Sequence, residues 1–170
     1  MPMPEASGGG GQDVVALLEE QHVRLRRLFD ELMRSEGKAR EERFGELAGL
    51  LAVHEAAEEE MVHPFARGRI EDGERIVEQR LEEEKRVRAG LRALEELGGE
   101  LGVDAPEFAE RCAALRDDLM AHAEAEEREE FARLRETSDH DQLENLAKAV
   151  KAAQAVAPSR PGRGTTPATR

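Results

Sequence analysis

The sequence predicts an all-α fold, an antiparallel up-down-up-down four-helix bundle with a short fifth helix at its C-terminal end. The strong helix formers Leu, Ala, Glu and Arg dominate the composition, and β-branched runs of strand length are missing. Four long amphipathic segments follow one another with short connections between them. Because short connections make neighbouring helices antiparallel, these segments are expected to pack around one core.

Turn signals bound each predicted helix. The four bundle helices are predicted at about residues 13–34, 40–66, 71–97 and 104–135, and the fifth at about 139–157. Gly68, Gly73 and the pair Gly98–Gly99 mark the breaks between them. The chain therefore divides into a disordered N-terminus (1–12), the bundle (13–136), the C-terminal helix (137–157) and a disordered basic tail (158–170).

Composition and charge exclude several classes of function. The formal net charge is -13, which argues against nucleic acid and against an anionic membrane surface as partners. No segment is apolar enough for a signal peptide or a membrane span, so we expect a cytoplasmic protein. The single cysteine, Cys112, rules out an internal disulfide and a cysteine-based metal cluster. No convincing nucleophile and base or phosphate-binding glycine loop stands out.

Polar residues interrupt the apolar stripe of every bundle helix. A buried charge without a partner costs several kcal/mol or more, so such residues need a common explanation if they meet. Helical rise, about 1.5 Å per residue, puts them at similar depths in an antiparallel bundle. The interrupting residues are His22 in the first helix, His54 and Glu58 in the second, Glu84 in the third, and His122 and Glu126 in the fourth.

The spacing within two of these helices indicates a metal site. In His-x-x-x-Glu the two side chains lie one turn apart on the same face, so both can reach ions on the bundle axis. A carboxylate can bridge two cations while imidazoles cap each of them. Imidazole nitrogen with carboxylate oxygen suits iron, manganese or zinc, and facing helices of a bundle are a known place for di-iron centres.

At this point the sequence resembles the hemerythrin-like, or HHE cation-binding, family. The resemblance covers residues 13–135 and lies in LLEEQHVRLRRLF, HEAAEEEMVHPFAR, LEEEKRVRAGLRALEEL and HAEAEEREEFARL. It implies an oxygen-reactive di-iron centre that binds or senses oxygen, nitric oxide or peroxide, or handles iron. It also implies that Glu58 and Glu126 bridge the metals and that the ligands are His22, His54, Glu58, His122 and Glu126.

The third helix departs from the family pattern. Where the family normally has a histidine, this chain has Glu84, which we expect to be a further ligand although it stands in a row with Glu82 and Glu83. Since anionic oxygen ligands favour the higher oxidation state of iron, reversible oxygen carriage is disfavoured and oxidation chemistry or simple iron binding is favoured.

Several of these histidines also have interpretations that involve no metal, and other functions stay open. His-x-x-x-Glu also occurs at His140 and Glu144 in the fifth helix, which we exclude from the site, and His63 is interpreted as a helix-end residue or a neighbour of the ligands. His22 could be a core histidine bonded to a glutamate. Two other functions stay open: an oxidase- or peroxidase-type enzyme and a metal-free structural bundle. Iron storage is disfavoured because one bundle has no shell for mineral, and nothing supports a protein partner for the fifth helix or tail.

Overall fold

A computed structural model describes residues 11–157, and within them the predicted all-α bundle is confirmed. The predicted disordered ends lie almost wholly outside these residues. Two π-helical turns, Glu58–Val62 and Glu126–Phe131, continue the helices before them without a break. The helices are α1 (Val14–Arg34), α2 (Gly37–Ala57), α3 (His63–Arg67), α4 (Gly73–Leu101), α5 (Pro106–Ala125), α6 (Ala132–Thr137) and α7 (His140–Val156).

The bundle has four long helical segments. They are formed by α1, by α2 continued through α3, by α4, and by α5 continued through α6. The Asp13 side chain caps α1 by accepting from the backbone N–H of Ala16 at 2.7 Å, and Asp139 forms a capping box with Gln142 at the start of α7. No helix among the described residues is both long and apolar enough to cross a membrane.

The predicted break at Gly98–Gly99 is wrong. Helix α4 continues to Leu101 and ends at Gly102, whose φ of 86° favours glycine. Gly98 instead serves packing, because a Cβ at this position would lie 3.3 Å from the ring of Phe108. The glycine therefore admits an aromatic ring against the helix and does not end it.

Two apolar clusters fill the bundle, one on each side of a polar layer. Along α1, for example, Leu18 belongs to the first cluster, His22 lies in the layer, and Leu25 belongs to the second cluster. The first cluster also receives three buried residues of α7, namely Leu143, Ala147 and Val150. The layer is thus shielded from water above and below by aliphatic and phenyl side chains.

Gly73 is the first residue of α4 and lies where no larger side chain fits. A Cβ there would lie 2.5 Å from the carbonyl oxygen of Arg67 and 3.0 Å from that of Ala66. Because backbone oxygens cannot rotate away, we expect Gly73→Ala to lower the free energy of unfolding by about 1–3 kcal/mol in urea titrations. Gly45→Ala is the control: it is exposed in α2 with nothing within 4 Å, and should raise that free energy by about 0.5–1 kcal/mol. Equal losses in both variants would contradict the steric explanation.

Candidate metal centre

A layer of eight buried histidine and glutamate side chains crosses the bundle between the two apolar clusters. Each side chain is at most 5% exposed, far less than is usual for these residue types. All six residues that the sequence predicts as ligands belong to this polar layer, together with two that it does not predict. The members are His22, His54, His63, His122, Glu58, Glu84, Glu126 and Glu130.

Glu58 and Glu126 lie at the centre of the polar layer, each as the first residue of a π turn. Imidazole nitrogens surround them: Nε2 of His54 contacts Oε1 of Glu58, and Nε2 of His22 lies 3.3 Å from Oε1 of Glu126. On the other side, Nε2 of His122 lies 3.5 Å from Oε2 of Glu126. Glu126 therefore has an imidazole on each side, His22 and His122, and Glu58 contacts the imidazole one turn before it on the same helix.

Several oxygens in the polar layer have no hydrogen-bond partner. They are both oxygens of Glu58, both oxygens of Glu126, Oε2 of Glu84 and Oε2 of Glu130. Leaving a buried carboxylate oxygen without a donor is costly unless a cation compensates for it. Four carboxylates carry four formal negative charges when ionised, which two divalent cations would neutralise. The donor set thus fits a pair of cations.

The outer nitrogen of each imidazole is held by a hydrogen bond, so that Nε2 faces the carboxylates. Metal-ligating histidines almost always bind through one ring nitrogen and donate from the other to an oxygen acceptor. The four Nδ1 contacts are His22 with Glu127 at 2.9 Å, His54 with Gln21 at 2.8 Å, His63 with Glu130 at 2.7 Å and His122 with Glu83 at 2.7 Å.

Of three consecutive glutamates on α4, only Glu84 points into the polar layer. Its Oε1 lies 2.8 Å from Nε2 of His63 and 3.7 Å from Nε2 of His122. Glu83 accepts the Nδ1–H of His122, and Glu82 lies on the surface. The position that would hold a family histidine therefore presents a carboxylate to the same place.

The carboxylates of the layer have unequal pKa values. Burial and the neighbouring charges of Glu126 and Glu84 raise the pKa of Glu58 well above its usual value. Burial alone would also raise the pKa of Glu126, but the adjoining Glu58 carboxyl group and the charges of His122 and His22 outweigh burial and hold it well below its usual value. The two central carboxyl groups therefore titrate on opposite sides of the usual value for glutamate.

The pKa values of the neighbouring imidazoles of His22 and His54 also differ. Burial lowers the pKa of His22, but bonds to Glu126 and Glu127 outweigh burial and raise it to about 9. Burial and the charge of His22 lower the pKa of His54 to about 3. Because these two Nε2 atoms lie only 3.1 Å apart, both rings cannot be protonated together, and a cation could replace the proton that they share.

The π turns explain why His63 was not predicted as a member of the layer. In a regular α-helix, a residue five positions after Glu58 points about 140° away from it. Here the N–H of His63 bonds to the carbonyl of Glu58, five residues earlier, and the added residue turns His63 inward. The available signal was Pro64, because proline inside a helix clashes with the carbonyl four residues earlier and favours such a widened turn.

Helix α7 contacts the layer through one hydrogen-bonded chain. The Nε2 of Gln21 donates to Oε1 of Gln154 on α7 at 2.8 Å, and Gln21 in turn holds Nδ1 of His54. The excluded residue His140 lies at the exposed start of α7, where it pairs with Glu144 at 3.7 Å, away from the layer. The fifth helix thus supports the centre by packing and by Gln154.

A family comparison matches most of the bundle. The sequence model described as the Hemerythrin HHE cation binding domain matches residues 13–134, from the cap of α1 to α6. A solved structure, described as a Hemerythrin HHE cation binding domain-containing protein from Mycobacterium kansasii, superposes with a TM-score of 0.73. It covers 85% of this chain and 86% of the other at 21% identity, and shows that the fold is shared.

A curated relative is similar over most of this chain. It is described as a DNA nickase from Nostoc sp. strain PCC 7120, and the two are 31% identical over 156 residues. The match covers 91% of this chain but 42% of the relative. This chain therefore spans less than half the length of that protein.

Proposed function

Because this chain belongs to the hemerythrin HHE cation-binding family and is a metal-binding, hemerythrin-like protein, we propose that its polar layer holds two iron ions. We further propose that the pair binds or senses oxygen, nitric oxide or peroxide, or handles iron. The ligands of this proposal include Glu58 and Glu126 as bridging carboxylates. The full set is His22, His54, Glu58, Glu84, His122 and Glu126.

One observation supports the proposal most strongly: buried carboxylate oxygens that lack a hydrogen-bond donor lie close to imidazole nitrogens. Two overlapping groups of four side chains each bring one ligand atom per residue within 4.8 Å of one another, and both groups contain Glu58 and Glu126. The first adds His22 and His54, and the second adds Glu84 and His122. Shared carboxylates between two sets of this kind support a dinuclear centre.

Nitrogen and carboxylate donors favour iron, with manganese or zinc as the other candidates. Iron held here would supply redox chemistry toward oxygen, nitric oxide or peroxide. Glu84 makes the donor set richer in anionic oxygen, which favours the oxidised ion and argues against reversible oxygen carriage. The two apolar clusters exclude bulk water and limit access to small molecules.

Metal analysis tests this proposal directly. We expect about two iron ions per chain in protein purified without chelator, fewer in Glu84→Ala, and one or none in His122→Ala, by elemental analysis for iron, manganese and zinc. His140→Ala is the control, since His140 belongs to an equal His-x-x-x-Glu pattern on the exposed face of α7. A wild type without metal, or a His122→Ala variant with unchanged content, would leave only the structural bundle.

Spectra and turnover separate the functions that a loaded centre could serve. Iron-loaded protein should change its absorption spectrum once when oxygen or peroxide is added. A spectrum that returns to its starting form when oxygen is removed would contradict the preference for oxidation chemistry. Steady consumption of peroxide with a reductant would instead favour the oxidase- or peroxidase-type enzyme over a sensor.

The relative described as a DNA nickase raises a second candidate function. The net charge of -13 gives this chain little attraction for phosphates, so we expect no nicking of supercoiled plasmid at physiological salt. Nicking by the wild type and by His140→Ala, but not by His122→Ala, would favour the nickase function for this chain.

A further inference from the structure

We propose that His63 is a fourth imidazole ligand of the centre, delivered by the end of the first π turn in place of the histidine that α4 lacks. The inference rests on the proposed function and extends it from six ligands to seven. It assigns His63 to the same cation as His122 and Glu84.

Three carboxylates surround the inner nitrogen of His63. Its Nε2 lies 2.8 Å from Oε1 of Glu84, 3.6 Å from Oε2 of Glu58 and 4.0 Å from Oε2 of Glu126. The side chain is almost completely buried. His63 therefore points its nitrogen at the same carboxylates that the proposed cations need.

The outer nitrogen of His63 is held in the same way as those of the three other histidines. Its Nδ1 lies 2.7 Å from Oε1 of Glu130, which is itself buried. A carboxylate that accepts from Nδ1 fixes the ring and leaves the Nε2 lone pair for a metal. Glu130 is thus a positioning residue in this proposal, and it comes from the second π turn.

The geometry divides into two halves that match when His63 is included. Oε1 of Glu58 and Oε1 of Glu126 face the half with His22 and His54. Oε2 of both carboxylates faces the other half, which contains His122 and His63. Without His63 the second half would offer one imidazole against two in the first.

The competing explanation is a metal-free ion pair. Burial lowers the pKa of His63, but hydrogen bonds to Glu130 and Glu84 outweigh burial and raise it to about 11, so a protonated ring would pair with two carboxylates in the absence of metal. The two explanations differ in what a cation does: a ligand loses its Nε2 proton when metal binds, whereas an ion pair keeps it and takes no part in binding.

Cobalt(II) is the probe, because it gives paramagnetically shifted NMR signals. Each bound imidazole that keeps its Nδ1 proton contributes one shifted, exchangeable signal. We expect four such signals in the wild type, with one lost in His63→Gln. Three signals in the wild type would overturn the inference, and this count does not depend on any variant folding.

Cobalt titration gives the second measurement. The second ion should bind His63→Gln roughly 10-fold or more weakly, and Glu130→Gln should weaken it about 10- to 100-fold, the range seen when the partner of a ligand is changed. His122→Ala is the positive control and His140→Ala the negative control. Unchanged affinity in His63→Gln with weakened binding in His122→Ala refutes the role of His63 alone, whereas a wild type that binds no cobalt refutes the proposed function.

Discussion

Loading the metal-free protein with ferrous iron should raise its melting temperature by roughly 10–20 °C. A ligand that binds only the folded state at about 100 times its Kd stabilises that state by about 2.7 kcal/mol for each site. A domain of about 150 residues or more shifts by about 2–4 °C per kcal/mol. Two sites of the proposed kind therefore give a large and easily measured shift.

The physical reason lies in the cost of the layer without metal. Six carboxylate oxygens of four glutamates have no donor in the bundle interior, and neighbouring carboxylates repel when ionised. Cations remove that cost in the folded state, whereas the unfolded chain has no assembled site. Thermal melts followed by circular dichroism, with iron and with a chelator under anaerobic conditions, measure the shift.

Magnesium and His122→Ala are the controls for this experiment. Magnesium prefers oxygen ligands in octahedral geometry and should shift the melting temperature far less than iron, because three of the six proposed ligand residues are histidines. His122→Ala, which should keep one iron ion or none, should lose at least about half of the iron-dependent shift. An equal shift with both metals would indicate non-specific binding to the acidic surface.

The sequence predicted the fold and six residues of the layer because both follow from regular helical periodicity. His54 with Glu58 and His122 with Glu126 interrupt apolar stripes at the spacing of one turn, and His22 does so in α1. An antiparallel bundle then brings equal depths together. The polar layer could be inferred without coordinates for this reason.

Periodicity failed where the helices are not regular. The first π turn changes the phase of the residues after Glu58, so His63 faces inward although a regular α-helix would not put it there. Glu130 lies one turn after Glu126, on the same face even of a regular α-helix, but it belongs to a glutamate-rich run in which periodicity alone does not single it out. Helix α4 has a less regular apolar pattern, so the choice of Glu84 among three consecutive glutamates rested on the family resemblance as well as on periodicity. In the structure Glu84 is fully buried, whereas Glu82 is exposed and Glu83 only partly buried.

Glu58→Gln should have two opposite effects: it should abolish binding of at least one cation and stabilise the metal-free protein. Glu58 is fully buried, and neither of its oxygens has a hydrogen-bond partner. Glutamine has nearly the same shape and no ionisable group, so it removes the bridging ligand together with the cost of burying, or of protonating, a carboxyl group beside Glu84 and Glu126. Replacing buried ionic groups by neutral ones of similar volume often stabilises a protein by about 1–4 kcal/mol.

The stability that Glu58→Gln gains over the wild type should increase with pH. The pKa of Glu58 is raised well above its usual value in the folded state, so the folded chain binds a proton at this group more tightly than the unfolded chain does, and stability is lost as pH rises. As pH falls toward the usual pKa of glutamate, both states become protonated and the cost disappears. The stability difference between Glu58→Gln and wild type should therefore be larger at pH 7.5 than at pH 5 in urea titrations with chelator.

Glu60→Gln is the matched control, since Glu60 belongs to the same π turn but lies on the surface. It should change neither cobalt affinity nor the free energy of unfolding by more than about 0.5 kcal/mol. A Glu58→Gln variant that lost stability without metal would mean that Glu58 contributes to packing in its own right. A gain in stability with a loss of metal would instead mean that the folded chain tolerates an unfavourable carboxylate because bound cations need it.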